Sequence, residues 1–249
     1  MTSRDFSTHK ERTHLAIEVS THVGSLAFFR GTECVWHEQW QRAGSHSELV
    51  TPALERGLSA SGLALKDLDF VGTSLGPGSF TGIRVGVNVA KTLGQSLDLP
   101  LVGVTTLDVL VHSIPANNYP KMRTIAALNA FKNMIYTMEY ESQQGRWQAL
   151  SRGPLAQTWA QLQDSLPADR EYLFIGDGLR GYEAQVCPTT LARLKKPAGS
   201  EDYPSALTLG PLAYEQFKKG RSRSWQELTP LYVRASEAEE KLKSCRQNG

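Results

Sequence analysis

At 249 residues the chain can build one large domain or two of ordinary size, and 40% hydrophobic with 21% charged residues is a globular composition. A formal net charge of +2 excludes nucleic-acid binding by bulk electrostatics, so any RNA contact has to be local or made through a partner. Cys34, Cys187 and Cys245 form no CxxC pair and have no histidine cluster nearby, and neither a secretory apolar core nor a run of ~18 apolar residues occurs, so a cytoplasmic protein without disulfides, structural zinc or membrane span is expected.

Residues 1–13, polar and mixed in charge, read as a disordered N-terminal extension. Residues 14–19, 24–29 and 34–40 are runs of strand length separated by short turns, which predicts a three-stranded meander. Ser45-His46-Ser47-Glu48 fits an S-x-x-E capping box and opens a helix whose Leu49, Val50, Ala53, Leu54 and Leu58 share a face. His46, in its first turn, reads as a capping or packing residue rather than a ligand. Residues 69–74 then form a short buried strand.

The stretch LGPGSFTGIRVGVNVAKTLGQSLD, residues 75–98, departs most from ordinary globular sequence. Ile83, Val87, Ala90, Leu93 and Leu97 recur at helical steps, predicting an amphipathic helix over 83–97. Before it, Gly76, Gly78 and Gly82 are free to take positive φ and Pro77 fixes its own, so residues 76–82 form a shaped strand-to-helix turn. Such a turn aims backbone N–H groups and the positive end of a helix dipole into one space, which suits an anion. The segment lacks the Lys-Ser/Thr of a P-loop and spaces its glycines GxGxxxG rather than GxGxxG. A turn that lets helix and strand pack closely is the competing reading, and the residues alone leave both open.

Residues 100–104 are a strand and 105–112 a short helix capped by a threonine, followed by a breaker-rich loop over 114–123. The pattern then begins again: strands over 124–128, 134–140 and 147–150, a helix over 158–165, and a strand over 172–175 leading into Gly176-Asp177-Gly178. Two meanders at the heads of two halves suggest a duplicated α/β plan, although residue identity between the halves is too weak to establish a repeat. A helix over 205–218 closes with Gly220. Lys218, Lys219, Arg221 and Arg223 form a basic run followed by Trp225, open to reading as a phosphate contact or a solvated helix end. Residues 236–249 form a charged tail, with 236–243 suited to a helix.

GPGSFTGIRVGVNVAK, together with the HSEL helix start, PLVGVTTLDVL and the LTPLYVRASEAE ending, resembles the TsaB (YeaZ) family of bacterial tRNA threonylcarbamoyladenosine biosynthesis proteins, in the family's order from about residue 15 to about residue 240. The resemblance implies an α/β, actin-like (ASKHA, ribonuclease H-like) duplicated fold with two mixed-sheet lobes, over 14–113 and 114–235. It also implies work on adenosine 37 of ANN-decoding tRNAs, in which a TsaD-type subunit performs the transfer and a TsaE-type subunit supplies ATPase activity. Members of this family are the non-catalytic partner that binds and supports the TsaD-type subunit, meeting tRNA indirectly and pairing with themselves when alone.

Relatives resembling TsaD hold a metal with two histidines four residues apart, where this chain has Thr106 and Leu110. Glu18 stands where the family usually has Asp, and residues 127–131 where it often writes Asp-Ala-Arg. These departures lead to the expectation of no metal and no catalytic residue. The expected partner surface lies on the helices over 47–61 and 83–97, with Ser79, Phe80, Thr81, Gly82, Arg84, Val85, Gly86, Val89, Ala90 and Leu93. Gly82, Gly86 and Ala90, about four apart, would admit a partner helix closely or serve packing within the chain. The alternative function is an ATP-binding ASKHA-type enzyme or a glycoprotease-like hydrolase, resting on Glu18, Ser20, Thr21, Gly76 and Gly78, with weak ATP or ADP binding at an interface. For a peptidase the sequence offers neither an evident nucleophile–base pair nor HExxH.

Overall fold

The computed structural model describes residues 11–41 and 46–234. The first half lays down β1 (Thr13–Glu18), β2 (Val23–Arg30), β3 (Glu33–Gln41), α1 (Ser47–Ser61), β4 (Phe70–Ser74), α2 (Phe80–Leu97), β5 (Leu101–Val104) and α3 (Thr106–Val111). The second continues with β6 (Arg123–Asn129), β7 (Ile135–Gln143), β8 (Arg146–Ala149), β9 (Leu155–Gln157), α4 (Trp159–Ser165), β10 (Tyr172–Ile175), α5 (Pro188–Arg193), β11 (Leu194–Lys195) and α6 (Ala206–Lys218).

The first sheet has the order β3-β2-β1-β4-β5 and the second β8-β7-β6-β10-β11, with β9 pairing β7. In each, three antiparallel strands are extended by two parallel ones. The same order and directions therefore occur twice, so topology establishes the duplication that residue identity does not. This is the actin-like α/β plan of two mixed sheets.

Strands β1, β2 and β4 are buried almost throughout, as continuous apolar runs covered on both faces should be, whereas β3 is an open edge. One face of the first sheet carries α1 and α2 over Leu15, Ile17, Leu26 and Phe28. Its other face carries α6, with Ala206, Leu209 and Ala213 against Ala16, Ala27, Phe29 and Phe70. The second sheet takes α3 from the first half, with Leu107, Leu110 and Val111 against Ala126, Leu128 and Met138. The limits 14–113 and 114–235 thus divide the strands between the sheets, while two helices lie across that division.

Several expectations need adjustment. Arg12 lies 3.1 Å from Asp69, whose carboxylate also accepts the Thr13 N–H at 2.8 Å, so residues 11–13 belong to the fold rather than to an extension. Residues 1–10, Ser45, Cys245 and the tail over 236–249 lie outside the described residues. At the start of α1 the N-cap position is held by His46, which gives no side-chain cap. α2 begins at Phe80, not Ile83, because Ser79 caps it by accepting the Gly82 N–H at 3.2 Å. β9, α5 and β11 are too short to show any period.

Candidate functional site

The glycine-rich turn leaves β4 and folds back on the end of β1. Gly76 has φ +109, in the region that favours glycine. Its carbonyl accepts the Thr106 N–H at 2.9 Å, and the Ser79 N–H donates to the Ser20 carbonyl at 2.7 Å. A Cβ at Gly78 would lie 2.1 Å from the Ser20 carbonyl oxygen, and one at Gly82 2.1 Å from that of Val19. These two glycines are required because the backbone of residues 19–20 occupies the space a side chain would need.

Glu18 sits fully buried beneath the turn. One carboxylate oxygen accepts the Ser20 N–H at 2.8 Å and the Ser20 hydroxyl, and the other accepts the Ser74 hydroxyl. Burial pushes its carboxyl up to about 7 against the opposing pull of the Ser20 hydrogen bonds. Thr21 closes the following turn, its hydroxyl donating to the Val23 carbonyl at 3.0 Å. Glu18, Ser20, Thr21, Gly76 and Gly78 are thus brought together, but their polar groups are largely spent on one another.

His46 ties this turn to α1. Trp40 Nε1–H donates to His46 Nδ1 at 3.0 Å, which leaves the proton on Nε2, and Nε2 donates to the Thr21 carbonyl at 2.6 Å. Both ring nitrogens are occupied, so the packing role expected of this histidine is the one the geometry gives it.

Across the cleft, the β6–β7 hairpin faces the turn over a pocket of about 280 Å3 whose lining includes Gly78, Phe80, Phe131, Lys132, Tyr232 and Arg234. Phe131, Lys132 and Asn133 have φ of 56, 50 and 62, three successive non-glycine residues in the left-handed region. The bend is held by Asn129, whose side-chain oxygen accepts the Phe131 N–H at 2.8 Å, and by Arg234, which donates to the Ala130 carbonyl at 3.0 Å. Asp177, from the Gly-Asp-Gly turn after β10, accepts the Asn129 N–H at 2.9 Å. Burial raises the Asp177 carboxyl, with that hydrogen bond as the largest opposing pull. Phe131 stands 71% exposed at the rim. The sequence carries no glycine to mark this bend, and Tyr232 and Arg234 reach it from far along the chain.

On α2 the inward face is Gly82, Ile83, Gly86, Val87, Ala90 and Leu93. Gly82, Gly86, Ala90 and Leu93 are therefore corrected from the expected partner surface to the chain's own interior. A Cβ at Gly86 would lie 2.8 Å from the side chain of Val19, just past the end of β1, and 3.7 Å from that of Ile17 within it, so the small-residue stripe admits the end of β1 and the residue after it, not a partner helix. Ser79, Thr81 and Arg84 are exposed, with Phe80, Val85 and Val89 half-buried. The Arg84 guanidinium lies 3.8 Å over the Phe80 ring and donates to the Tyr232 hydroxyl at 3.0 Å, linking the outward face to the pocket.

Thr106 is buried, its hydroxyl without a hydrogen-bond partner among the described residues, and Leu110 lies in the core beneath the second sheet. Among the described residues no group of three or more His, Cys, Asp or Glu is placed to hold a metal ion, and no helix is long and apolar enough to cross a membrane.

The model of the TsaD family, tRNA N6-adenosine threonylcarbamoyltransferase, matches residues 41–241. The tRNA threonylcarbamoyladenosine biosynthesis protein TsaB of Escherichia coli (strain K12) is 28% identical over 92% of this chain and 97% of its own length. The TsaB protein of Bacillus subtilis (strain 168) gives the same three figures. The crystallised YeaZ from Pseudomonas aeruginosa, 23% identical, superimposes with a TM-score of 0.74 over 89% of this chain and 99% of that one, a likeness of fold. With the family model spanning most of the sequence and TsaB relatives aligned over nearly their whole length, the chain belongs to the TsaD family, in its TsaB/YeaZ branch.

Proposed function

We propose that this chain is a non-catalytic subunit in the formation of threonylcarbamoyladenosine at position 37 of ANN-decoding tRNAs. It binds and supports a TsaD-type transferase subunit in the cytoplasm, while a TsaE-type ATPase acts through the complex. The partner surface is the outward side of α2, from Ser79, Phe80 and Thr81 through Arg84 and Val85 to Val89, and alone the chain pairs with itself through it. The observation that carries the reading is how the anion-friendly turn is spent: Gly78 and Gly82 close on the backbone of residues 19–20, and Glu18 is consumed by Ser20 and Ser74. What remains available is the helix that the turn aims outward. Co-purification with the TsaD-type subunit of the same source, followed by an assay of the modified nucleoside with each component omitted, tests it. Modification that persists without this chain overturns the reading.

The pocket lined by Lys132 and Arg234 favours one second reading, weak ATP or ADP binding at this edge of the partner surface. Calorimetric titration of the isolated chain with magnesium and ATP tests it, and saturable micromolar binding supports it. A glycoprotease-like hydrolase has less support, because the Ser20 and Ser74 hydroxyls, the nearest candidate nucleophiles, both donate to Glu18.

A further inference from the structure

A second and larger cavity, of about 910 Å3, opens at the amino-terminal ends of β1 and β5, away from the glycine-rich turn at the carboxyl end of β4. Both α2 and α6 end on it, at Asp98 and at Lys218. Another wall is the segment carrying Arg223 and Trp225, fixed at the sheet edge: Arg223 N–H donates to the Leu101 carbonyl at 2.8 Å, and Leu101 N–H donates back at 2.9 Å. The apolar surface is equally fixed. Phe217 stacks on Phe70 at 4.3 Å, and Trp225, half-buried, packs against the first-lobe core.

The cations around this cavity are already matched. Lys218 pairs with Glu215 at 2.5 Å and lies over the Tyr214 ring at 4.9 Å, and Arg12 pairs with Asp69 at 3.1 Å. The Ser224 N–H and hydroxyl hold the Glu227 carboxyl low, with the charge of Arg223 adding to the pull. The lining carboxylates are left over: Glu11 and Asp98 are exposed and make no side-chain hydrogen bond and no ion pair among the described residues. Asp98 moreover sits at the end of α2 with φ 53, where the carbonyl end of the helix opposes a negative charge. Two helix C-termini and two unmatched carboxylates beside aromatic walls suit an occupant that is both cationic and aromatic. The same carboxylates disfavour a nucleic acid or an acidic peptide.

Because Glu11 lines the cavity, the chain that precedes it starts at the cavity's mouth. Residues 1–10, MTSRDFSTHK, carry Arg4 and Lys10 against one carboxylate, Asp5, and a single aromatic side chain apart from His9, Phe6. We propose that this segment folds back into the cavity of its own chain, with Phe6 against Trp225 and Phe217 and its cations toward Glu11 and Asp98. The reach suffices, since the five residues from Phe6 to Glu11 extend to ~17 Å and a cavity of this volume is of the size that holds a bound group. Attachment at Arg12 and Thr13, both held by Asp69, supplies an effective concentration on the order of millimolar, so a contact too weak for a free peptide is enough here.

Hydrogen exchange in the full chain, compared with a chain that starts at Glu11, tests the docking. Removing residues 1–10 should speed exchange in residues 97–101 and 222–226 about tenfold, the scale set by burying one Phe side chain, and leave β6 to β10 unchanged. Phe6→Ser, which keeps the full length and the whole of β1, should give most of the same effect. The exposed double variant Glu11→Gln/Asp98→Asn should speed exchange there about fivefold at low salt, the scale of two exposed charge pairs, and that effect should fade near ~0.5 M salt. If Asp98 serves only to end α2, the same change removes a charge that the helix end opposes, at a left-handed position that Asn also accepts, and exchange should slow instead. Unchanged exchange in the shortened chain or in Phe6→Ser overturns the proposal, as does slower exchange in the double variant. Protection that rises with protein concentration overturns it in favour of a segment seated in a second copy of the chain.

Discussion

Two buried ionisable residues pull stability in opposite directions with pH. His14 is stacked on Phe70 at 4.4 Å and Phe29 at 5.0 Å, with Nε2 donating to the Gly210 carbonyl. Burial lowers its pKa from 6.5 to about 4, so as pH falls through that window the unfolded chain takes up a proton that the folded chain refuses, and stability drops. Glu18 is raised from 4.5 to about 7, so its contribution is full below 4.5 and is lost as pH rises through 7. Between pH 4.5 and 6.5 the two slopes cancel. Measured by urea midpoints across that window, Glu18→Gln relative to wild type should gain stability with rising pH, about 3 kcal/mol at ~1.4 kcal/mol per unit. His14→Phe should lose a similar amount. A Glu18→Gln profile parallel to the wild type would show that the carboxyl titrates normally and that the assignment of its burial cost is wrong.

At the scale of the element, α2 decides how far the sequence can be read. Its period was legible, because Ile83, Val87, Ala90 and Leu93 mark one face and all four are buried. The small-residue stripe was legible as a stripe, but not as to what it meets. Gly82 and Gly86 lie on the inward side, and only the three-dimensional position of Val19 shows that the intimate contact is made with the chain as it leaves β1. The β6–β7 bend was not legible at all, since Phe131, Lys132 and Asn133 adopt left-handed backbone without a glycine, held by Asn129 and by Arg234 some hundred residues away. The partner surface is tested at exposed positions of α2. Val85 and Val89 are half-buried against the first-lobe core, so a charge there would damage the fold itself, whereas Asn88 and Thr92 are exposed on the same helix. Asn88→Arg/Thr92→Arg should leave the thermal midpoint within a few degrees of wild type, since surface substitutions rarely exceed ~0.5 kcal/mol. By light scattering and co-purification it should abolish both self-pairing and association with the TsaD-type subunit. Retention of both associations would move the surface off α2.

Over the whole molecule, the two meanders announced a duplicated plan in sequence, but the exchange of helices between the halves did not appear there. Hydrophobic period says that α3 and α6 have an apolar face, not which sheet covers it. Each sheet completes its core with a helix from the other half: α6 covers Ala16, Phe29 and Phe70 of the first, and α3 covers Ala126 and Leu128 of the second. Neither half can therefore close its core alone, and burial, not the loop over 114–122, joins them. Fragments 1–113 and 114–249 expressed separately should lack a cooperative thermal transition and bind a hydrophobic dye, while the intact chain should unfold in one transition with equal calorimetric and van't Hoff enthalpies. Leu209→Ala on α6, at a site with no solvent exposure, should lower the stability of that single transition by about 2–5 kcal/mol without splitting it. Two resolved transitions in the intact protein, or a cooperatively folded fragment 1–113, would mean that the lobes are energetically separate and that the crossing helices dock after each sheet has already formed its core.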